Sequence, residues 1–280
     1  LQYALVDGKR REAFPAGRGQ CPLCGAPTLA KCGPRVVHHW SHAGRKNCDP
    51  WWENETEWHR QWKSLFPPVH REVSYTAPDG EIHRADVVTQ SGIVIEFQHS
   101  QMTDAERLSR EHFYKNLVWV LDGREFRRNF DIYHPLPHPA SELAQDIVWL
   151  KATRPMQGAA RGIFLRLSEG ILEDPNTTKA TLRGGYMHFM HEIQTKMHEA
   201  YAGHHQYDWV RPRRTWLDAT CPVYVDLGFD ALARLETYDE SGLLCIHLIP
   251  KRVFVHDVMT ENGAKDIAKH FCPLLPDESI

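Results

Sequence analysis

No stretch of this chain approaches the ~20 consecutive apolar residues that a membrane-spanning helix needs, and no charged start runs into an apolar segment. Neither a transmembrane span nor a signal peptide is therefore expected. Internal repeats and low-complexity tracts are also missing, which leaves no basis for a repeat array or a biased tail. An excess of one charge is lacking as well. The 33 Lys and Arg against 36 Asp and Glu give a net charge of −3, with 18 histidines counted neutral. That balance neither supports nor excludes a nucleic-acid partner, because such a partner needs only a local basic surface. Cysteine is scarce, and its 7 copies are an odd number, awkward for a disulfide framework. Cys21, Cys24, Cys32 and Cys48 crowd the first fifty residues, which in a reducing compartment points to metal. Hydrophobic residues at 42% and charged residues at 25% are ordinary for a globular protein, so disorder is not the default. The 280 residues suit one large domain or two modest ones. The expectation is a cytoplasmic protein with no membrane partner.

Texture divides the chain into residues 1–50, 51–135 and 136–280. The first segment, rich in Cys, Gly, His and Arg, is too small to build a core alone and needs a staple. In the second, Trp58, Trp62 and Leu65 at three- and four-residue spacing predict a helix from Trp51 to Phe66, stopped by Pro67 and Pro68. Glu72 to Tyr75 reads as extended, and Pro78, Asp79 and Gly80 as a turn. Ile82 to Val88 and Ile93 to Phe97 read as strands. Thr103 and Glu106 form a capping-box signature for a helix to about Lys115, and Leu117 to Leu121 is a last strand. A hairpin followed by a crossover helix and a strand implies a mixed sheet with helices packed on it. The third segment opens on a proline-rich link, His134 to Ala140. Gly184 to Ala202 reads as a helix, Val223–Val225, Leu243–Ile249 and Val253–Val258 as strands, Asp239 to Gly242 as a hairpin turn, and Asn262 to His270 as a final helix.

Chemistry concentrates in the middle segment. Glu96 and Gln98, two apart on one strand, share a face, and the hairpin can bring Asp86 to the same end. Two carboxylates with a backbone carbonyl suit a hard cation such as Mg²⁺. That ion can bind a phosphate oxygen and lower the pKa of a bound water. Acids in adjacent strands more often pair with surface lysines and do nothing else. Against that, Glu96 lies in an apolar run, where an acid is costly unless paired or metal-bound. Glu55, His59 and Lys63 at i, i+4, i+8 make one polar helical stripe opposite the tryptophans. Glu55 is a possible fourth acid, and His59 a phosphate contact or proton shuttle. A merely solvated helix face is the plainer reading of that stripe.

These residues resemble the CoiA family of competence-associated nucleases. The resemblance rests on short motifs in one order: Cys21 to Cys24; His39 to His42; Cys48; Glu53 to His59; Lys63; Arg84 to Asp86; Ile95 to Ser100; and Arg110 with Tyr114. It covers roughly residues 15–122 and leaves 136–280 unmatched. It implies a PD-(D/E)xK-like fold, an N-terminal zinc module, and a role in handling DNA during recombination, with a RecA-type recombinase as partner. The residues it implies as catalytic are Asp86, Glu96 and Gln98, supported by Glu55 and His59. Lys63, Arg110 and Tyr114 are expected against substrate. The chain departs from the wider superfamily at Gln98, where lysine is commoner. Glutamine can orient a water but cannot act as a base.

For zinc, Cys21 and Cys24 with Gly25 form a knuckle pattern. His42 and Cys48 are the expected second pair, His39 the alternative to His42, and Cys32 an outside candidate. Four protein ligands would close the site, making it structural. Arg110 and Tyr114 read equally well as a phosphate-holding pair and as an ion-paired arginine beside a core tyrosine. Arg124, Arg127 and Arg128, and Arg211, Arg213 and Arg214 beside Trp209 and Trp216, have the composition of a strand-tracking surface. A solvated basic loop explains each as well. His188, His191, His198, His204 and His205 read as ordinary polar or half-buried histidines, for want of matched acids or cysteines.

The sequence therefore predicts an α/β protein with a zinc-stapled module, a PD-(D/E)xK core and a C-terminal accessory region. The expected activity is hydrolysis of single- or double-stranded DNA with Mg²⁺ or Mn²⁺ at Asp86 and Glu96. The alternatives are a catalytically silent DNA-binding or recombinase-loading factor and an anti-phage nuclease. A homodimer is possible by analogy with other enzymes of this fold.

Overall fold

A computed structural model describes residues 1–44, 48–49, 51, 55–76, 80–156 and 162–268. The chain is mixed α/β and divides into two compact units, Leu1–Val120 together with the residues from Val255 onward, and Leu121–Phe254. No helix among the described residues is long and apolar enough to cross a membrane.

The first unit opens with five short strands, β1 (Tyr3–Val6), β2 (Lys9–Glu12), β3 (Arg18–Gln20), β4 (Pro27–Lys31) and β5 (His39–His42). They form an antiparallel sheet in the order β2-β1-β3-β4-β5. This segment does own a small core: Ala4, Cys21 and Trp40 are buried together, with Val6, Leu23 and Cys48 packed on them. Next come α1 (Glu57–Ser64), β6 (Arg71–Thr76), β7 (Ile82–Val88), β8 (Val94–Gln98), α2 (Asp104–Phe113) and β9 (Leu117–Asp122). Strands β6, β7 and β8 are antiparallel neighbours, and β9 lies beside β8. The crossover through α2 makes that last pair parallel. All five residues of β8 and all six of β9 are buried, as expected of strands covered on both faces.

Helix α1 begins later than its tryptophan spacing suggested, because Thr56 caps it and accepts from the His59 amide. Thr103 caps α2 by accepting from the Glu106 amide, but the Glu106 carboxylate turns to Arg110 rather than closing a capping box. Glu111 is buried on α2, where it takes Arg107 at 2.5 Å and the Trp119 indole N–H at 3.2 Å. The turn expected at Pro78 and Asp79 lies outside the described residues, as do the stretch 52–54 of the expected first helix and the end of the last helix at His270. Gly80 itself has φ +91°.

The second unit holds β10 (Phe130–Pro137), α3 (Glu142–Gln145), β11 (Ile147–Trp149), β12 (Ile163–Arg166), α4 (Leu167–Glu173), β13 (His188–Phe189), α5 (Gln194–Ala200), β14 (Tyr201–Trp209), α6 (Arg214–Leu217), β15 (Val223–Asp226), β16 (Ala231–Thr237) and β17 (Leu244–Pro250); α7 (Lys251–Met259) and α8 (Glu261–Ala268) follow. Strands run β10-β14-β17-β16-β15, with a separate sheet β11-β12-β13.

Three expectations fail in this half. The proline-rich link is largely strand: β10 pairs with β14, with register shifts between Ile132 and Pro135 and between Pro135 and Pro137, where a residue without an N–H cannot complete the ladder. Gly184 to Ala202 is not one helix. His188 and Phe189 pair with β12 first, a 3-10 turn follows at Met190–Ile193, and only Gln194–Ala200 is α-helical. Val253 to Val258 is helix α7, not strand. Its buried residues Phe254 and Val258 stand four apart, a helical spacing that β-branched composition disguised.

Candidate functional site

A cleft in the first unit is lined by the face of α1 and the facing ends of β7 and β8. Asp86, Glu96, Gln98, Glu55, His59, Lys63, Glu72 and Arg84 all contribute to it. The strand register pairs Val87 with Ile95 and Val88 with Val94, so one further step sets Asp86 opposite Glu96. The two are cross-tied: Asp86 Oδ2 accepts from the Phe97 amide at 3.0 Å, and Glu96 Oε1 from the Asp86 amide at 3.3 Å. Glu96 is buried, and burial followed by the charge of Asp86 pushes its carboxyl up to about 8. A cation between the two would remove both causes, so this donor set fits a divalent ion. Gln98 is buried on the same strand face, and its amide nitrogen donates to Ser100 Oγ at 3.0 Å.

The polar stripe of α1 is not a solvated face. His59 and Lys63 are buried along with Trp58 and Trp62. Lys63 Nζ pairs with Glu55, with Glu72 at 3.2 Å and with Asp86 at 3.7 Å. Burial alone would lower its pKa, but these carboxylates, Glu72 foremost, raise it. Burial likewise opposes ionisation of Glu72, yet Lys63 and then Arg84 hold that carboxyl well below the usual range. Glu72 also accepts from the Gln2 amide at 2.9 and 3.0 Å, tying β1 to the cleft.

His59 is committed internally. Its Nδ1 accepts from the Thr56 amide at 3.3 Å, and its Nε2–H donates to the Phe97 carbonyl at 2.7 Å. These partners fix the neutral tautomer, and burial lowers its pKa further. A phosphate contact or proton shuttle therefore requires breaking one of those bonds.

Of the two readings of Arg110 and Tyr114, the structure has the ion-paired arginine and the core tyrosine. Arg110 donates to Glu96 at 3.4 Å, Glu106 at 2.6 Å and the Trp51 carbonyl at 3.1 Å. Tyr114 is buried against Trp51 and Tyr75, and burial raises its pKa. Sequence reasoning missed Glu72 and Asp49. Asp49 accepts from the Trp51 and Arg84 amides, each at 3.0 Å, and pairs with His83 at 2.9 Å, while Trp51 stacks on the His83 ring. A carboxylate placed by a loop has no periodicity to announce it.

Cys21, Cys24, His42 and Cys48 bring their ligand atoms within 4.8 Å of one another, a group able to bind a metal such as zinc. Gly25, at φ +70°, closes the knuckle, its amide donating to the Cys21 carbonyl at 2.9 Å. Cys24 Sγ stands 3.3 Å from His42 Nε2, and Cys21 Sγ 3.7 Å from Cys48 Sγ. Burial, and then Cys21, pushes the Cys48 thiol up to about 12, and a bound cation would favour its thiolate. Cys32 and His39 stay outside the group. His39 Nδ1–H donates instead to the Val37 carbonyl at 2.7 Å.

In the second unit Trp209 and Trp216 are buried, so neither offers a face to a base. Arg213 lies over Phe126, Arg127 over Phe229, and Arg124 pairs with Asp122. Comparison with family models, curated proteins and solved structures gives no match for this chain.

Proposed function

We propose that the first unit is a PD-(D/E)xK-type, divalent-metal-dependent nuclease that hydrolyses DNA phosphodiester bonds. The observation that carries this reading is the cross-tied pair Asp86 and Glu96, set face to face at one end of a hairpin with Gln98 and Lys63 beside them. The CoiA-like motifs support it, because they name these same residues and attach them to DNA processing in recombination or competence. Bound Mg²⁺ or Mn²⁺ would supply Lewis-acid activation of water and neutralisation of phosphate charge.

In this reading Asp86 and Glu96 hold the ion, and Gln98 orients a water without acting as a base. Lys63 brings the positive charge that Gln98 lacks, from helix α1 rather than from β8. Glu55 and Glu72 keep that lysine charged and aimed at Asp86. His59, tied to both α1 and β8, positions these two elements. Arg110 balances Glu96 from behind. The Cys21, Cys24, His42 and Cys48 group holds a structural zinc, since four protein ligands leave no open position.

Cleavage of labelled single- and double-stranded DNA with Mg²⁺, Mn²⁺ or EDTA tests the proposal. The wild type should cut only with metal, and folded Asp86→Ala and Glu96→Ala variants should fall to background. A folded wild type that binds DNA and never cuts it would replace the nuclease by a DNA-binding factor.

A further inference from the structure

The histidines of the second unit are not all ordinary. His204 on β14 sits directly opposite His247 on β17, and Arg234 on β16 sits opposite His247 in turn. Glu236, two residues after Arg234, shares its face. The fold thereby gathers two imidazoles and one carboxylate from three adjacent strands. No sequence spacing joins them, which is why His204 lacks a matched acid when read along the chain.

The local geometry is built for close approach. Gly203 has φ +94°, and a Cβ there would lie 3.0 Å from His247 Cδ2, so a side chain at 203 would displace that ring. The two rings stack at 4.3 Å with 14° between their planes. Glu236 divides its oxygens: Oε1 takes Arg234 Nε at 3.0 Å, and Oε2 stands 3.5 Å from His204 Nε2. His204 is 3% exposed.

One ligand atom from each of the three residues lies within 4.8 Å of the others. Zinc bonds imidazole nitrogen and carboxylate oxygen at about 2.0–2.2 Å, so tetrahedral donors stand about 3.5 Å apart. The His204–Glu236 pair already has that separation; because the stacked rings carry their lone pairs in nearly parallel planes, His247 must turn toward the ion as well as approach it. We propose that His204, Glu236 and His247 form a transition-metal site of the zinc class, with three protein ligands and a fourth position open to water. It differs in kind from the four-ligand cysteine group, which is closed. Imidazole with a carboxylate selects zinc-like ions over Mg²⁺ or Ca²⁺, which prefer all-oxygen shells. Arg234 opposes the ion by its charge but fixes the carboxylate in place.

The test is Co²⁺ titration of the full chain with zinc retained in its cysteine group, following visible absorption and bound metal. Wild type should take one ion with the strong d–d absorption of four-coordinate cobalt, no thiolate charge-transfer band, and displacement by Zn²⁺, set apart by that absorption from a weakly absorbing ion at the oxygen ligands Asp86 and Glu96. His247→Ala and Glu236→Gln, each checked for folding by circular dichroism, should weaken that binding by about 10-fold or more. Buried His204 is left intact. A wild type that takes no such ion, or folded variants that take it unchanged, would overturn the site. Should both variants fail to fold, the wild-type titration alone decides.

Discussion

Lys63 and Glu96 are two buried groups whose charge state is set by their neighbours in the first unit. Removing the ammonium of Lys63 leaves Glu55, Glu72 and Asp86 around a low-dielectric gap. Breaking a buried pair in this way typically costs about 3–5 kcal/mol, so Lys63→Met should lower urea-unfolding stability by that order. Glu96 runs the opposite way. Its folded pKa of about 8 lies above the ordinary carboxylate value of about 4.3. Stability from protonated Glu96 is thus complete below about pH 4 and is lost as pH rises through 8. In EDTA, Glu96→Gln should be the more stable protein at pH 8, by on the order of 1 kcal/mol or more. The gap should narrow as pH falls and close only below about pH 4, and added Mg²⁺ should raise the wild-type melting temperature only. Equal melting curves at both pH values would contradict the burial account. At this scale the sequence was informative where periodicity or an apolar context speaks, as for Glu96 within its apolar run. It was silent on Glu72, whose importance comes from meeting Lys63 and the β1 amides in space.

The elements that carry the site were largely legible, and the reasons differ from one to another. Strands β7 and β8 announce themselves by alternation and by a β-branched run, and Thr103 marks the start of α2. Helix α1 starts at Glu57 rather than Trp51 because Thr56 caps it, and the spacing of Trp58 and Trp62 inside the helix does not mark where it begins. The α7 segment was misread because Val253, Val255 and Val258 mimic a strand while the burial follows a helix. Helix α1 also owes its entry angle to the reciprocal bonds between Thr56 and His59, and the same imidazole reaches β8 through the Phe97 carbonyl. Thr56→Ala should therefore cost about 0.5–2 kcal/mol, the ordinary worth of a cap. If His59 positions α1 against β8, cleavage should also fall in parallel with His59→Ala. Stability loss with full activity in both variants would reduce the motif to a cap alone.

Among the described residues, each unit holds a group of side chains able to bind a metal. The first fifty residues have a core of a few side chains and four metal-binding groups beside it. Cys24→Ser, or zinc stripping by a strong chelator, should lower the melting temperature of the first unit and open β1–β5 to proteolysis, read by mass spectrometry of the fragments. Because Glu72 accepts from the Gln2 amide, the same treatment should weaken cleavage, although no cysteine lines the acid cleft. The second unit bears no motif by which the sequence could foretell its role. Its three metal-binding candidates come from strands that meet only after folding. Glu72 has one more consequence, an evolutionary one. Its oxygens face a lysine on one side and a peptide N–H of β1 on the other, so positions 63 and 72 are bound to change together or not at all. The constraint on β1 falls on its main-chain path. A homologue with a different side chain at position 2 but the same backbone course would keep the cleft's charge balance, whereas one that lost the course of β1 would have to re-solve that balance from within.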